Sequence, residues 1–290
     1  MVKLFFFSIL AFSFGVGIFF VEQLFFTDRV TLAEVALGSL ADTKGKYGIV
    51  IKDIKTGDTY TQNQDEIFDT ASLYKLWVMA ETFAQMKEGV IKEEDILSAD
   101  IPALHKEFNI DPENAEFVDG HVEMTVSEAL EQMITISHNY AALLLSQKLK
   151  NSEIASFLEA DGFIQSSLGG TTSVPQSTPS DIALFYEKLY KGEIVDKESS
   201  EKMIEILKRQ KRNNGIPKYL PPKNATVGHK TGELGWLKHD AGIVFAKKGD
   251  YIIVVMSESD SPLGAEEKIA KLSEAVYKYF QTKKNFWFSY

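Results

Sequence analysis

Two residues near position 70 could supply a nucleophile and its base. Ser72 and Lys75 form an S-x-x-K motif that opens an apolar stretch with helical periodicity. Residues at i and i+3 share one face of a helix. A serine at a helix N-terminus lies in the positive end of the helix dipole, which favours an alkoxide, and a neutral lysine beside it could accept the hydroxyl proton. The pair therefore indicates nucleophilic chemistry through Ser72.

Two further motifs carry groups that could contact a substrate. The tripeptide S-H-N at residues 137–139 directly precedes a predicted helix, and alone it is typical of helix capping. The tripeptide K-T-G at residues 230–232 lies on a predicted strand. Its small residues would let a ligand approach the backbone closely.

Both S-x-x-K and K-T-G occur twice, so neither motif is decisive alone. The second S-x-x-K, Ser199 and Lys202, is interpreted as a helix start with a solvated lysine. The second K-T-G, at residues 55–57, lies between two predicted strands and is typical of a turn. The informative pattern is the combination: S-x-x-K opens a helix, S-x-N follows 65 residues later at a helix junction, and K-T-G follows 93 residues after that on a strand.

Hydrophobic periodicity and turn residues predict an α+β fold around these motifs. The predicted helices are Thr31–Ala41, Ser72–Lys87, Thr125–Met133, Tyr140–Leu149, Pro179–Tyr190, Ser199–Arg209 and Ala265–Phe280. The predicted strands are a hairpin within Lys46–Gln62, then Thr226–Lys230, Ala241–Lys247 and Tyr251–Ser257. This order favours one five-stranded antiparallel sheet flanked by the terminal helices on one face, with an all-helical lobe between the strand groups. A site is expected where the lobe meets the sheet.

With these motifs in this order, the chain resembles the serine β-lactamase and penicillin-binding protein superfamily, most closely its class A β-lactamase-like branch. The flanking residues agree. Residues 68–71 resemble the family's approach to the serine, residues 177–181 resemble its T-T-P-x-D helix start, and residues 229–234 with 239–242 resemble its central strands. The resemblance covers about residues 31–283 and implies the family's antiparallel sheet with a helical lobe.

The resemblance implies three catalytic residues. Ser72 would attack a carbonyl carbon and form an acyl-enzyme, with Lys75 as its base. Ser137 would relay a proton to the leaving nitrogen, helped by Lys230. Two cations close together should also lower the pKa of Lys75, which keeps it usable as a base.

The resemblance also implies a set of substrate-binding residues. Asn139 would hold the substrate amide, and Lys230 and Thr231 would bind the substrate carboxylate by charge and by hydrogen bond. Gly232 and Glu233 complete this strand segment. The backbone N–H of Glu233, with that of the catalytic serine, would form an oxyanion hole.

One stretch departs from the class A pattern. That class carries a glutamate before T-T-P that activates the water releasing the acyl-enzyme, whereas residues 162–176 contain no Asp or Glu. Asp181 is interpreted as a carboxylate of a helix's first turn, and His138 stands where the class usually has Asp. This favours D-Ala-D-Ala carboxypeptidase or penicillin-binding activity over rapid β-lactam hydrolysis. A true β-lactamase and a non-turnover sensor or pseudoenzyme are the alternatives, and the serine glutaminases, which share only the S-x-x-K helix, are a more distant one.

The N-terminal segment predicts a membrane anchor. Residues 4–21 are eighteen uncharged residues, which as a helix would span about 27 Å, close to a hydrocarbon core. We predict a transmembrane signal anchor over residues 1–26, an extracytoplasmic catalytic domain over 27–283 and a tail over 284–290. A cleaved signal peptide is the alternative and would yield a secreted protein.

Composition excludes several other functions. The 290 residues carry 31 basic and 41 acidic side chains, a net charge of −10, which is unsuited to nucleic-acid binding. The absence of Cys excludes disulfides, thiol nucleophiles and iron–sulfur clusters. The five histidines lack H-E-x-x-H spacing, so no metal and no cofactor is predicted. His138 and His229 adjoin the motifs and are candidates to line the cleft.

Overall fold

The computed structural model describes residues 30–41, 43–169 and 173–282. The strands are β1 (Lys46–Asp53), β2 (Thr59–Gln62), β3 (Phe68–Asp69), β4 (Ile96–Asp100), β5 (His121–Thr125), β6 (Gln176–Ser177), β7 (Ala225–Leu234), β8 (Leu237–Ala246) and β9 (Tyr251–Glu258). The α-helices are α1 (Leu32–Leu40), α2 (Lys75–Lys87), α3 (Ile101–Glu107), α4 (Val126–Thr135), α5 (Asn139–Leu149), α6 (Asn151–Ala160), α7 (Pro179–Lys191), α8 (Lys197–Lys208) and α9 (Pro262–Thr282). Two 3₁₀ helices span Ala71–Tyr74 and Pro112–Asn114.

Strands from both ends of the chain form one five-stranded antiparallel sheet in the order β2-β1-β9-β8-β7, which confirms the predicted sheet. The joining pair is β1 with β9, in register from Lys46 opposite Glu258 to Asp53 opposite Tyr251. This arrangement leaves β7, the strand with K-T-G, at an edge of the sheet. An edge strand has free backbone groups, so it can hydrogen-bond a ligand.

The sheet separates two hydrophobic cores. Successive side chains of a strand point to opposite faces. On β1, Ile49 and Ile51 pack with α1 and α9, whereas Val50 packs with the helical lobe. On β9, Ile253 packs with α1 and α9, whereas Ile252 packs with the helical lobe. The terminal helices therefore share one face, as the sequence predicts.

The helical lobe is built around α2. Every side chain from Lys75 to Phe83 is buried, the pattern of a helix surrounded by other elements. Packing on all sides fixes the start of α2, and therefore the position of the S-x-x-K motif, relative to the sheet.

Element boundaries differ from the predictions at two functional places. Ser72 lies in the 3₁₀ helix Ala71–Tyr74, and α2 begins only at Lys75. Strand β7 continues to Leu234, four residues beyond its predicted end, because it pairs with β8 up to a turn at Gly235 with φ +54°. Gly and Glu have low strand propensity, so tertiary pairing rather than local preference extends this strand.

Within residues 30–41, 43–169 and 173–282, no helix is long and apolar enough to cross a membrane. The anchor predicted over residues 1–26 and the tail predicted over residues 284–290 lie outside the described residues.

Candidate active site

The three predicted motifs meet where the helical lobe contacts the sheet. The hydroxyl Oγ of Ser137 accepts hydrogen bonds from two lysines, Lys75 Nζ at 3.2 Å and Lys230 Nζ at 3.0 Å. These residues come from three separate chain segments, 62 and 93 positions apart. A serine hydroxyl between two buried amines can accept a proton from one side and donate one to the other.

Ser72 is presented by a strained turn. Ala71, directly before it, has φ +43°, a left-handed conformation that costs a non-glycine residue about 1–2 kcal/mol. Such backbone outliers concentrate at functional sites, where the surrounding structure enforces them. The Ser72 side chain is half-buried, so a reacting carbonyl can reach its hydroxyl.

Lys75 has the properties of a base. Its side chain is fully buried, and Nζ donates to Ser137 O at 2.7 Å and Asn139 Oδ1 at 2.8 Å. Burial, helped by the positive charge of Arg212, lowers the pKa of Lys75 to about 7. Within the described residues, Lys75 Nζ donates hydrogen bonds to Ser137 and Asn139 and makes none with Ser72.

The S-H-N segment combines strain with a helix start. Ser137 has φ +62° and is 8% exposed. His138 is the N-cap of α5, because its Nδ1 accepts the N–H of Ala141 at 3.2 Å. Burial lowers the pKa of His138, which favours the neutral ring that this cap requires. Asn139 is thereby held with Oδ1 on Lys75.

Lys230 is the second buried amine. It is fully buried, and Nζ donates to Thr231 O at 2.7 Å as well as to Ser137. Burial holds the pKa of Lys230 well below its usual range, and the charges of Lys75 and Arg212 lower it further. A bound carboxylate would offset this positive potential, so the site favours an anionic substrate group.

Gly232 brings β7 against the Ser72 turn. A Cβ built on Gly232 would lie 2.7 Å from the carbonyl oxygen of Thr70 and 3.2 Å from Leu73. Only glycine allows this approach without displacement of the backbone. The segments that carry the backbone N–H groups of Ser72 and Glu233 therefore touch, and the oxyanion hole formed by these two groups stays a prediction.

Arg212 and Glu116 were not identified from sequence. Arg212 lies in the exposed loop after α8, and its Nε donates to Ile136 O at 3.2 Å. Glu116 lies in the loop between α3 and β5, and its negative charge raises the pKa of both Lys75 and His138. Exposed loop residues without regular spacing give no sequence signal of this kind.

The carboxyl group of Glu233 faces solvent and is separate from the backbone N–H that is predicted to form the oxyanion hole. It is paired with Lys238 and lies 3.5 Å from Nη1 of Arg212. The structure therefore places Glu233 at the rim of the site, where it orders two basic side chains.

The histidines next to K-T-G are buried. His239 is fixed by an N–H of Ser257 on Nδ1, so its Nε2 donates to the carbonyl of Asp69 at 2.8 Å. Burial lowers the pKa of His239 to about 4, so the ring is neutral and ties β8 to the chain just before the Ser72 turn. His229 is 1% exposed and hydrogen-bonded to Asp240.

Asp181 accepts hydrogen bonds from the loop that follows α6. As predicted, Asp181 lies in the first turn of a helix, α7, and its N–H is capped by Thr178. Its Oδ2 accepts Gln165 N–H at 2.9 Å and Ser166 Oγ–H at 2.8 Å. The Asp181 carboxylate therefore holds the loop between α6 and α7 in place.

No metal centre is indicated in the part of the chain that the structure describes, since it contains no group of three or more His, Asp or Glu side chains arranged to hold an ion.

Comparisons with known proteins agree with this geometry. Residues 31–280 match the Beta-lactamase enzyme family. Among solved structures, a β-lactamase from Sphaerobacter thermophilus superposes with a TM-score of 0.75 at 22% identity, over 87% of this chain and 98% of that chain. PBP-A superposes with a TM-score of 0.76 at 23% identity, over 87% and 96%. A variant of the class A β-lactamase of the last common ancestor of Gram-negative bacteria gives 0.73 at 21%, over 88% and 100%. No curated protein matches the sequence.

Proposed function

Because the chain belongs to the β-lactamase enzyme family and is a serine hydrolase of that class, we propose that it acylates Ser72 with β-lactams and with cell-wall peptides ending in D-Ala-D-Ala. The proposal is that it acts as a D-Ala-D-Ala carboxypeptidase that releases penicillins slowly. The observation that carries this choice is the stretch 162–176, which contains no carboxylate to activate a deacylating water.

Acylation follows from the two buried amines. Neutral Lys75 takes the proton of the Ser72 hydroxyl, Oγ bonds to the substrate carbonyl carbon, and the C–N bond of the amide then breaks. The leaving nitrogen receives its proton from Ser137 Oγ, which is replenished from the lysines hydrogen-bonded to it. General acid–base transfer of this kind contributes roughly 10²–10⁴-fold to a rate.

Substrate binding follows from the charges. Arg212 places positive charge near the buried amine of Lys230, in a chain of net charge −10. A bound carboxylate would favour the protonated form of Lys230, so Arg212 and Lys230 together form a positive centre for it. A terminal carboxylate of a β-lactam or of D-Ala-D-Ala would hydrogen-bond Thr231 and neutralise this centre. PBP-A, one of the similar structures, has also been solved as a variant in an acyl-enzyme complex with penicillin G, which supports penicillin as a probe.

The test compares two substrates on one preparation. We expect release of D-Ala from an acyl-D-Ala-D-Ala peptide, with penicillin hydrolysed far more slowly than the enzyme is acylated. Rapid turnover of penicillin with no release of D-Ala would contradict the proposal.

True β-lactamase activity is the second candidate, favoured by Glu116. Its negative charge raises the pKa of Lys75 and of His138, so it is the acid to test as a water activator. If Glu116→Gln abolished penicillin hydrolysis without slowing acylation, this second function would replace the first. Acylation without any release of product from either substrate would identify a non-turnover sensor.

We further propose that residues 1–26 anchor the protein, with the catalytic domain on the extracytoplasmic side. The support is the length of the uncharged run in the sequence. The full-length chain should sediment with membranes after an alkaline wash, and external protease should degrade the domain on spheroplasts. Recovery in the soluble fraction at full mass would contradict the anchor.

A further inference from the structure

The loop between α8 and β7 contacts both sides of the site. We call residues 210–216 the strap. On the helical side, the three carbonyls just before Ser137 all accept hydrogen bonds from it. The bonds are Gln210 Nε2 to Ile134 O at 2.7 Å, Lys211 N to Thr135 O at 2.9 Å and Arg212 Nε to Ile136 O at 3.2 Å.

On the sheet side, the strap is anchored by a buried pair next to Lys230. His229 Nδ1 and Asp240 Oδ1 are 2.7 Å apart, and both residues are 1% exposed. His229 Nε2 lies 3.1 Å from Asn213 Oδ1, and Asp240 Oδ2 accepts the N–H of Ile216 at 2.8 Å. Both ring nitrogens and both carboxylate oxygens are therefore committed to this anchor.

The strap is pressed tightly against its anchor. A Cβ built on Gly215 would lie 2.3 Å from Asp240 Oδ2, so a larger residue there would displace the buried Asp240 carboxylate. Ile216 is fully buried in the core between the sheet and α9, and its carbonyl accepts Ser273 Oγ–H at 2.9 Å. The sheet end of the strap cannot shift without disturbing that core.

From this double attachment we propose that the strap, anchored by His229 and Asp240, sets the spacing between Ser137 and Lys230 and holds Arg212 beside the two lysines. These are positioning residues for acyl transfer, so the inference rests on the proposed function. The Ser137–Lys230 hydrogen bond crosses the cleft between the two lobes. Displacing a reacting group by about 1 Å can cost 10²-fold in rate, which gives the strap its importance.

The experiment loosens the anchor from its exposed end. Asn213→Ala removes one hydrogen bond from an exposed residue, so the full-length variant should fold. His229→Ala removes the buried end of the anchor, and His229→Gln retains one donor there. Asp196→Asn, at the N-cap of α8 and therefore at the opposite end of that helix from the strap, is the control. The rate of acylation by benzylpenicillin is measured from pH 5.5 to 9 by intact mass.

We expect Asn213→Ala to slow acylation by about tenfold and His229→Ala by about 100-fold, with His229→Gln between them and the control unchanged. The acidic limb of the pH profile should also move to higher pH, because Arg212 would no longer lower the pKa of Lys75. Lower thermal stability with unaltered rates and pH profile would show a merely structural role and overturn the proposal.

A second readout does not depend on reaction with penicillin. The titration of Lys75 is followed by NMR of ¹³Cε-labelled lysine, assigned with Lys75→Arg. We expect its midpoint to rise in Asn213→Ala and His229→Ala. An unchanged midpoint overturns the strap proposal, whereas a wild-type chain with the expected titration but no acylation contradicts only the proposed function.

Discussion

The two S-x-x-K motifs have the same residues and opposite electrostatics. Lys75 is fully buried with hydrogen bonds to Ser137 and Asn139, and burial together with the charge of Arg212 lowers its pKa to about 7. The side chain of Lys202 is 54% exposed, and its pairing with Glu198 at 3.0 Å raises its pKa. At neutral pH the first lysine is partly a free base and the second is a cation, so the environment rather than the motif makes the base.

The two K-T-G tripeptides differ in the same way. Lys230 is buried on an edge strand, and Gly232 touches the carbonyl of Thr70. In the copy at residues 55–57, Gly57 follows the turn after β1 with φ +76°, and no atom lies within 4 Å of the place that a Cβ would occupy. Gly232 is needed because the two backbones approach closely, whereas Gly57 is needed because its φ is positive.

The largest contrast is expected for the two serines. Ser72→Ala removes the attacking oxygen and should abolish covalent labelling by penicillin. Ser199→Ala alters a helix start and should leave labelling unchanged. Intact mass spectrometry measures both. Persistent labelling of Ser72→Ala would show that another residue is the nucleophile.

Replacing the lysines should give the next largest contrast. Lys75→Met should slow acylation by roughly 10²–10⁴-fold, the usual contribution of a general base, while Lys202→Met should have no effect. Stopped-flow acylation rates decide this. Equal rates for Lys75→Met and the wild type would assign the base elsewhere.

Substitution of the two K-T-G glycines should impair acylation in one case and stability in the other. Gly232→Val should slow acylation by roughly 100-fold, because its side chain would push β7 away from the Ser72 turn. Gly57→Ala should cost about 1–2 kcal/mol of unfolding free energy through its positive φ, with acylation unchanged. Denaturant unfolding and acylation rates are both measured. If Gly57→Ala impaired acylation as strongly as Gly232→Val, the contrast would be wrong.

A pH profile gives the smallest and most specific effect. The active form of Lys75 is neutral, and its pKa is about 7, so acylation should rise through pH 7 and fall about tenfold per unit well below it. Lys202 stays charged across this range and contributes nothing. An acylation rate that did not change between pH 5.5 and 8 would exclude a titrating Lys75 as the base.

The sequence predicts the sheet and the principal helices because these rest on local signals. Helices α1 and α4 begin at capping boxes, formed by Thr31 with Glu34 and by Thr125 with Glu128, and the alternating side chains of the strands form the two cores. The motif residues converge as the resemblance implies. What could not be predicted depends on tertiary contact: the strain at Ala71 and Ser137, the extension of β7, and the proximity of Glu116 and Arg212 to Lys75.

Fast acylation of Ser72 with slow release is tested most simply by a time course of intact mass for the full-length protein in detergent with a penicillin. We expect one penicillin adduct on Ser72 that forms quickly and persists, because residues 162–176 supply no carboxylate for deacylation. A transient adduct with accumulating hydrolysed penicillin would contradict slow release and make the protein a true β-lactamase. Absence of any adduct would contradict penicillin as an acyl donor.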